Sequence, residues 1–325
     1  MKNTKALFND HLSALDNLLT QAHLQDDPAL WLYQNNARTV LFYLEGMCRA
    51  LAQFHDSKRF NKLTERFKTL EDALGQIDYF DAFVKEFSAN PTIPADVVEH
   101  LTQERQMALL ALNGALQKEG WIGESARRIK KIRKGKKTKS INWLSDEELV
   151  LALRHLYEQK IADITLALTQ SFKSIENDLH ELRRQVRWLS IYPQAFKGYI
   201  TLAQPRRIVA KKFDKYLTDD IVHSPFNQLP QSDNITSPLQ LNQNNFYAMS
   251  WFIAATGLLK DQGLRLDALT HSIHITQKVA PETAQSQAML MLGSQQASTD
   301  EVLSAAQIIA KQLKMDAIFT GLVVG

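Results

Sequence analysis

Residues 178–192 read DLHELRRQVRWLSIY. On a helical wheel at about 100° per residue, counted from Leu179, the side chains of Leu182, Val186 and Leu189 fall within about 80° of it and make one apolar stripe. His180, Arg183, Arg184 and Arg187 occupy the adjoining arc, from about 40° to 140°, and Glu181 lies off that arc at about 200°. The stretch therefore predicts an amphipathic helix with a continuous basic face beside its core face. Like charges three and four residues apart repel by a few tenths of a kcal/mol on a helix, so stability alone favours interleaved acids. The basic face covers roughly 10 Å of helix axis, enough to meet several phosphates of an extended polyanion. Arginine suits that task because its planar fork bonds two phosphate oxygens at once. His180 adds a charge when protonated and one N–H when neutral. A solvated or salt-bridged face is the competing reading, since that is what most charged helix faces are. The residues alone leave both open.

Helical period extends outward in both directions. Leu7, Leu15, Leu18 and Leu19 mark a helix over 4–24. Asp27-Pro28 is a cap followed by a first-turn proline, and it opens a helix predicted to run to about His55 with Leu41, Leu44, Met47, Cys48 and Leu51 inward. Further helices are predicted over 59–88 and 95–118. Ser145 and Glu148 form a capping box that starts a helical pattern reaching Tyr192, softened near 174–177 and ended by Pro193. The Pro-, Asn- and Gln-rich stretch 218–243 reads as a long loop. Helices over 244–261 and 264–279, separated by Gly263, then precede two amphipathic pieces and the apolar tail IFTGLVVG. His274-Ile275-Thr276 alternates briefly in the manner of a strand.

The 325 residues leave room for about two domains, placed at 1–140 and 141–325. Only 12 Gly and 9 Pro are present, too few for the turns of a sandwich or the loops of an α/β fold, which favours an all-α protein. The single cysteine, Cys48, excludes an internal disulfide, a cysteine zinc cluster and a CxxC pair. The absence of an apolar leader in MKNTKALFNDHLSALD and of a ~20-residue apolar run predicts a cytoplasmic chain with no membrane segment. Neither GxGxxG, GxxxxGK[ST] nor GxSxG occurs. His180-Glu181 begins like HExxH, but Arg184 stands where the second histidine is needed, and His271 and His274 read as a surface pair. No catalytic residue, metal or cofactor is implied.

The formal charge of +3 hides an uneven distribution. Residues 127–139, RRIKKIRKGKKTK, carry nine Lys or Arg and no acid, so the rest of the chain sums to about −6 (3 − 9). Arg127, Arg128, Lys130, Lys131, Arg133 and Lys134 are the candidate polyanion contacts, on a short helix ending at Gly135 with Ile129 and Ile132 as its apolar anchors. Arg206, Arg207, Lys211, Lys212 and Lys215 form a smaller basic group around Asp214.

The His180, Arg183, Arg184, Arg187 pattern resembles the signature of the CHAD family, the conserved histidine α-helical domain: histidine, arginine three residues on, then basic residues at the following turns. Leu74-Gly75-Gln76-Ile77-Asp78-Tyr79-Phe80-Asp81 resembles the family's LG-x-x-RD-x-D segment, and Asn35-Asn36-Ala37-Arg38 occupies the place of the first His-x-x-Arg helix. The departures are specific. Asn35 replaces the histidine, Glu45 lies between Arg38 and Arg49, and Asp78-Tyr79 replaces the Arg-Asp pair. The resemblance implies two four-helix-type bundles related by a pseudo-twofold, a basic groove, and non-enzymatic binding of inorganic polyphosphate or another polyanion, with Arg38 and Arg49 as further candidate contacts. Two alternatives stand beside it: a helical scaffold that binds a protein, and nucleic-acid binding by the basic block.

Overall fold

The computed structural model describes residues 3–54, 57–123, 127–134, 143–204, 211–231, 235–293 and 296–324. In chain order its helices are α1 (Asn3–His23), α2 (Pro28–Gln34), α3 (Ala37–Phe54), α4 (Ser57–Ser88), α5 (Ala95–Lys118), α6 (Arg128–Lys134) and α7 (Asp146–Ala167). A π-helical turn (Ile175–His180) leads directly into α8 (Glu181–Ala195), followed by α9 (Asp219–Val222), α10 (Gln243–Gln277), α11 (Pro281–Leu292) and α12 (Thr299–Met315). Two four-residue strands, β1 (Ile200–Ala203) and β2 (Leu239–Asn242), complete an otherwise helical protein. The described residues divide into two compact units. The first comprises Met1–Trp143 with Arg265–Gln295, and the second Leu144–Leu264 with Gln296–Gly325.

In the first unit α3 and α4 form the most extensive helix pair, with α5 against α4 and α1 against α3. Leu12, Leu41, Leu44, Met47, Leu51, Phe60, Phe67, Leu74 and Ile77 fill its core, each such side chain contributing about 1.5–3 kcal/mol by leaving water. Asp27 caps α2 through the Leu30 amide (3.1 Å) and accepts from Asn113 of α5 (2.8 Å), whose carbonyl oxygen accepts from the Ala29 amide (2.9 Å). The helix predicted from Pro28 to His55 is broken: Asn36 adopts φ = 56°, a left-handed conformation that asparagine tolerates better than most residues. Ile129 and Ile132 anchor α6, both buried. Residues 135–142, which include Gly135 and the rest of the basic block, lie outside the described residues.

In the second unit the Ser145–Glu148 capping box is present in both directions. Pro193 does not end the helix but sits buried within α8. A proline cannot donate to the carbonyl four residues back, here that of Leu189. The buried Tyr157 hydroxyl of α7 supplies the missing donor at 2.6 Å. Tyr157→Phe is expected to lower stability by about 1–2 kcal/mol, the cost of leaving that buried carbonyl without its donor; urea unfolding followed by far-UV circular dichroism measures it.

The stretch 218–243, expected as loop, carries α9, a 3₁₀ turn at Pro225–Asn227 and β2. β2 pairs in parallel with β1 from Ile200↔Leu239 to Ala203↔Asn242. The C-terminal tail joins its other edge: the Asn242 amide donates to the Leu322 carbonyl (2.8 Å) and the Val324 amide to the Gln240 carbonyl (2.9 Å). Gly263 does not separate two helices. Within the continuous α10 a Cβ at this position would come within 2.7 Å of Ile175 Cδ1, so glycine is what lets the π turn pack close. His274-Ile275-Thr276 is helical, in the last turns of α10.

Candidate functional site

The wheel's inner stripe is the buried face of α8: Leu182, Val186 and Leu189 are all core residues. The turn before it is fixed from several sides. Ser174 caps it through the Asn177 amide (3.1 Å), and Asp178 accepts from the Lys173 and Ser174 amides (2.7 and 2.9 Å). Leu179 packs against Val302 and Ala306 of α12. This segment runs antiparallel to α10, as three contacts in register show. Ile175 lies on Gly263, and Arg183 meets Ile253 and Gly257 further back along α10. The charge of Lys260 bears on His180, which lies between them.

Arg183 is half-buried against α10. Its Nε donates to the Ile253 carbonyl at 3.0 Å, and its guanidinium lies flat on Gly257, where a Cβ would stand 3.0 Å from Nη2. Burial lowers its pKa, opposed by Asp261, and the group stays a cation because an arginine starts so high. Burial likewise lowers the pKa of His180, followed by the charge of Lys260; Glu176 opposes, and Arg183 and Arg184 add to the lowering. Its Nδ1 is shut off from solvent and has no hydrogen-bond partner. Burial and these cations favour the neutral imidazole of His180 over the charged one. Arg184 is exposed and pairs with Glu181 (2.6 Å). The wheel had set Glu181 apart from the basic arc, but an i,i+3 ion pair spans that angle easily. Arg187 is half-buried further along α8, where its carbonyl accepts from Ser190 (2.8 Å).

The first unit contains the same kind of contact. Arg38 Nε donates to Glu71 (2.7 Å), its guanidinium lies on Gly75, where a Cβ would stand 2.6 Å away, and Nη1 pairs with Asp78 (3.0 Å). In each case an arginine three residues after Asn35 or His180 covers a glycine of a long helix. Its Nε bonds the residue four before that glycine, Glu71 or Ile253. The residue three after the glycine is Asp78 in the first unit and Lys260 in the second. Arg38 is thereby neutralised by two carboxylates, whereas Arg183 bonds a neutral carbonyl and feels the opposite charge of Asp261. Arg49 is likewise met within the chain, by the buried Glu45 at 2.7 Å.

The basic block belongs to the first unit. Arg133 pairs with Asp16 and with the Ser13 hydroxyl, both at 2.9 Å. Arg128 stands 5.7 Å from the Trp121 ring centroid and 3.7 Å from Glu119. Arg127, Lys130, Lys131 and Lys134 are exposed and have no ion pair among the described residues. Lys136, Lys137 and Lys139 lie outside the described residues, as do Arg206 and Arg207. Of the smaller basic group, Lys215 pairs with the Asp316 carboxylate and Lys212 donates to the Asp316 carbonyl, each at 2.7 Å.

Family models, curated proteins and solved structures give no match to this chain. Its chemistry is therefore read from its own side chains. No group of acids, histidines and cysteine capable of holding a metal occurs among the described residues, and none of the described helices is long and apolar enough to cross a membrane. Gly257 was invisible to the sequence reading of the basic face. The available signal was a glycine inside an apolar helical run, which costs about 1 kcal/mol against alanine and calls for a packing reason.

Proposed function

We propose that the chain is a non-catalytic binder of an extended polyanion, inorganic polyphosphate, held in the second unit by His180, Arg183, Arg184 and Arg187. The observation that carries this reading is that Arg183, anchored through Nε on the Ile253 carbonyl, has no acceptor on Nη1 or Nη2 among the described residues and stands three residues after His180, whose buried Nδ1 has no hydrogen-bond partner. Arg183 is suited to the task because its Nε is anchored on Ile253, which fixes the direction of the rest of the fork. The choice of polyphosphate rests on the resemblance to the CHAD signature. The same reading takes the two units as bundles duplicated by a pseudo-twofold, supported by the repeated arginine-on-glycine contact. A cytoplasmic location belongs to this reading as well.

One titration series tests it. Three or four phosphate contacts give a plot of log K against log salt a slope of about −2 to −3. Because bound phosphate favours the imidazolium, affinity is expected to rise as pH falls from 7.5 to 5.5, and His180→Gln is expected to remove that rise. Binding indifferent to both salt and pH contradicts the reading. A second reading, nucleic-acid binding by the first unit, is favoured by one observation: Arg127, Lys130, Lys131 and Lys134 are exposed side by side without acidic partners among the described residues.

A further inference from the structure

The outward face of α5 has two properties that no contact within the chain explains. Val97, Leu101, Ala108, Leu109, Leu112 and Leu116 turn inward and are buried. On the opposite side every exposed residue from Thr102 to Gln117 is uncharged, whereas the solvent face of a helix ordinarily carries charges. Its middle is apolar. Met107 is 62% exposed and Leu110 56%, and with Ala111 and Gly114 they share an arc of about 100° on a helical wheel. Gly114 is the second anomaly. Glycine weakens a helix interior and is kept where a neighbour comes close, as Gly75 admits Arg38 and Gly263 admits Ile175. At Gly114 a Cβ would meet nothing within 4 Å, so the chain itself gains nothing from glycine there.

A second copy of the same face answers both. Two α5 helices laid antiparallel, with a twofold axis between Leu110 and Ala111, bring Met107 of each copy onto Gly114 of the other and Leu110 onto Ala111. Large thus meets small at every level, and a twofold contact repeats each match. Methionine is unbranched and fills such a bare seat, and glycine lets the two helix axes approach closely. The charges agree with this direction. Lys118 of each copy comes opposite Gln103, which lies between Glu99 and Glu104 and donates to Glu99 at 3.4 Å. Glu99, Glu104 and Lys118 form no ion pair among the described residues. A parallel pair would instead set lysine against lysine and glutamate against glutamate.

We propose that α5 is a self-association face, on which two copies of the chain pair antiparallel through Met107, Leu110, Ala111 and Gly114, with Lys118 of each copy beside Glu99 and Glu104 of the other. The proposal is independent of the polyanion reading. From Gln103 to Lys118 the face runs about 24 Å along one helix, which sets the contact at the small end of specific interfaces, below about 1,200 Å² in total. The dimer therefore dissociates on dilution, and salt weakens it by screening the exposed charges at its two ends.

Sedimentation velocity of the full chain over a dilution series tests it, beside Leu110→Gln and Gly114→Gln. Both positions are exposed and a Cβ at 114 meets open space, so both variants are expected to keep the far-UV circular dichroism of the parent, and Gly114→Gln to melt no lower than the parent. The parent is expected to pass from dimer to monomer on dilution, and each variant to dissociate about tenfold more readily or worse. The register is read by oxidation with copper–phenanthroline of an equal mixture of Met107→Cys and Gly114→Cys chains, whose native Cys48 is buried. The mixture is expected to form a disulfide-linked dimer, and either chain alone is not. A parent that is monomeric at every concentration overturns the proposal, as does a dimer equally tight in both glutamine variants. Cross-linking of either cysteine variant alone as fast as the mixture overturns the antiparallel pairing.

Discussion

Arg38→Ala is expected to destabilise the protein by about 2–3 kcal/mol and to leave polyphosphate affinity unchanged. The Glu71 side chain is only 9% exposed and Arg38 is its ion-pair partner. Truncating Arg38 leaves that carboxylate in the core without compensation, in a region where Glu45 is also buried and already pushed up in pKa by burial, with Glu71 adding to the push. Removing one member of a fully buried pair costs about 3–5 kcal/mol; about a third of the Arg38 side chain is in contact with water, which lowers the figure. Restoring neutrality with Glu71→Gln in the Arg38→Ala background is expected to recover most of the loss. Urea denaturation of the parent, the two single variants and the double variant measures the coupling. A stable Arg38→Ala variant would show that the Arg38–Glu71–Asp78 cluster contributes little to the fold.

Arg183→Ala is the mirror experiment in the second unit. Its partner is a neutral helical carbonyl, so the stability loss is expected to be about 1 kcal/mol. The binding loss is expected to be larger. A charge-assisted bond to phosphate contributes about 1.5–3 kcal/mol, so affinity falls roughly ten- to hundredfold. Calorimetric titration beside a thermal melt separates the two quantities. Arginines in such similar contacts are thus expected to give opposite signatures, one structural and one functional. If Arg183→Ala loses stability as Arg38→Ala does and still binds, Arg183 is a structural residue and α8 is not the site.

The helical character of the chain and the inner face of α8 were readable because both rest on period alone. Leu182, Val186 and Leu189 are buried where the wheel sets them, and Ser145 caps α7 as its spacing requires. The wheel fails on the other side of the same helix. It treats what is not core as solvent, whereas Arg183 faces a helix 70 residues further along the chain, a neighbour that no local pattern announces. Punctuation was ambiguous for a related reason. Gly263 reads as a break and in fact admits Ile175. Pro193 reads as a stop and is accommodated because Tyr157, from another helix, bonds the carbonyl it abandons. Asn36 breaks a helix where no glycine or proline gives warning. β1 and β2 are four residues each and are joined by long-range pairing, too short for alternation to register. The charges of Glu71 and Asp78 were in the sequence all along. Their meaning came only with the register that sets both beside Arg38.

The most direct test of the central claim is titration of the purified chain with long-chain polyphosphate at about physiological ionic strength, where diffuse surface attraction is screened, with DNA of matched charge as competitor. Sub-micromolar binding that DNA does not displace, weakened by Arg183→Ala and unaffected by Arg38→Ala, is the expected result. Absence of polyphosphate binding, or equal displacement by DNA, would contradict the account.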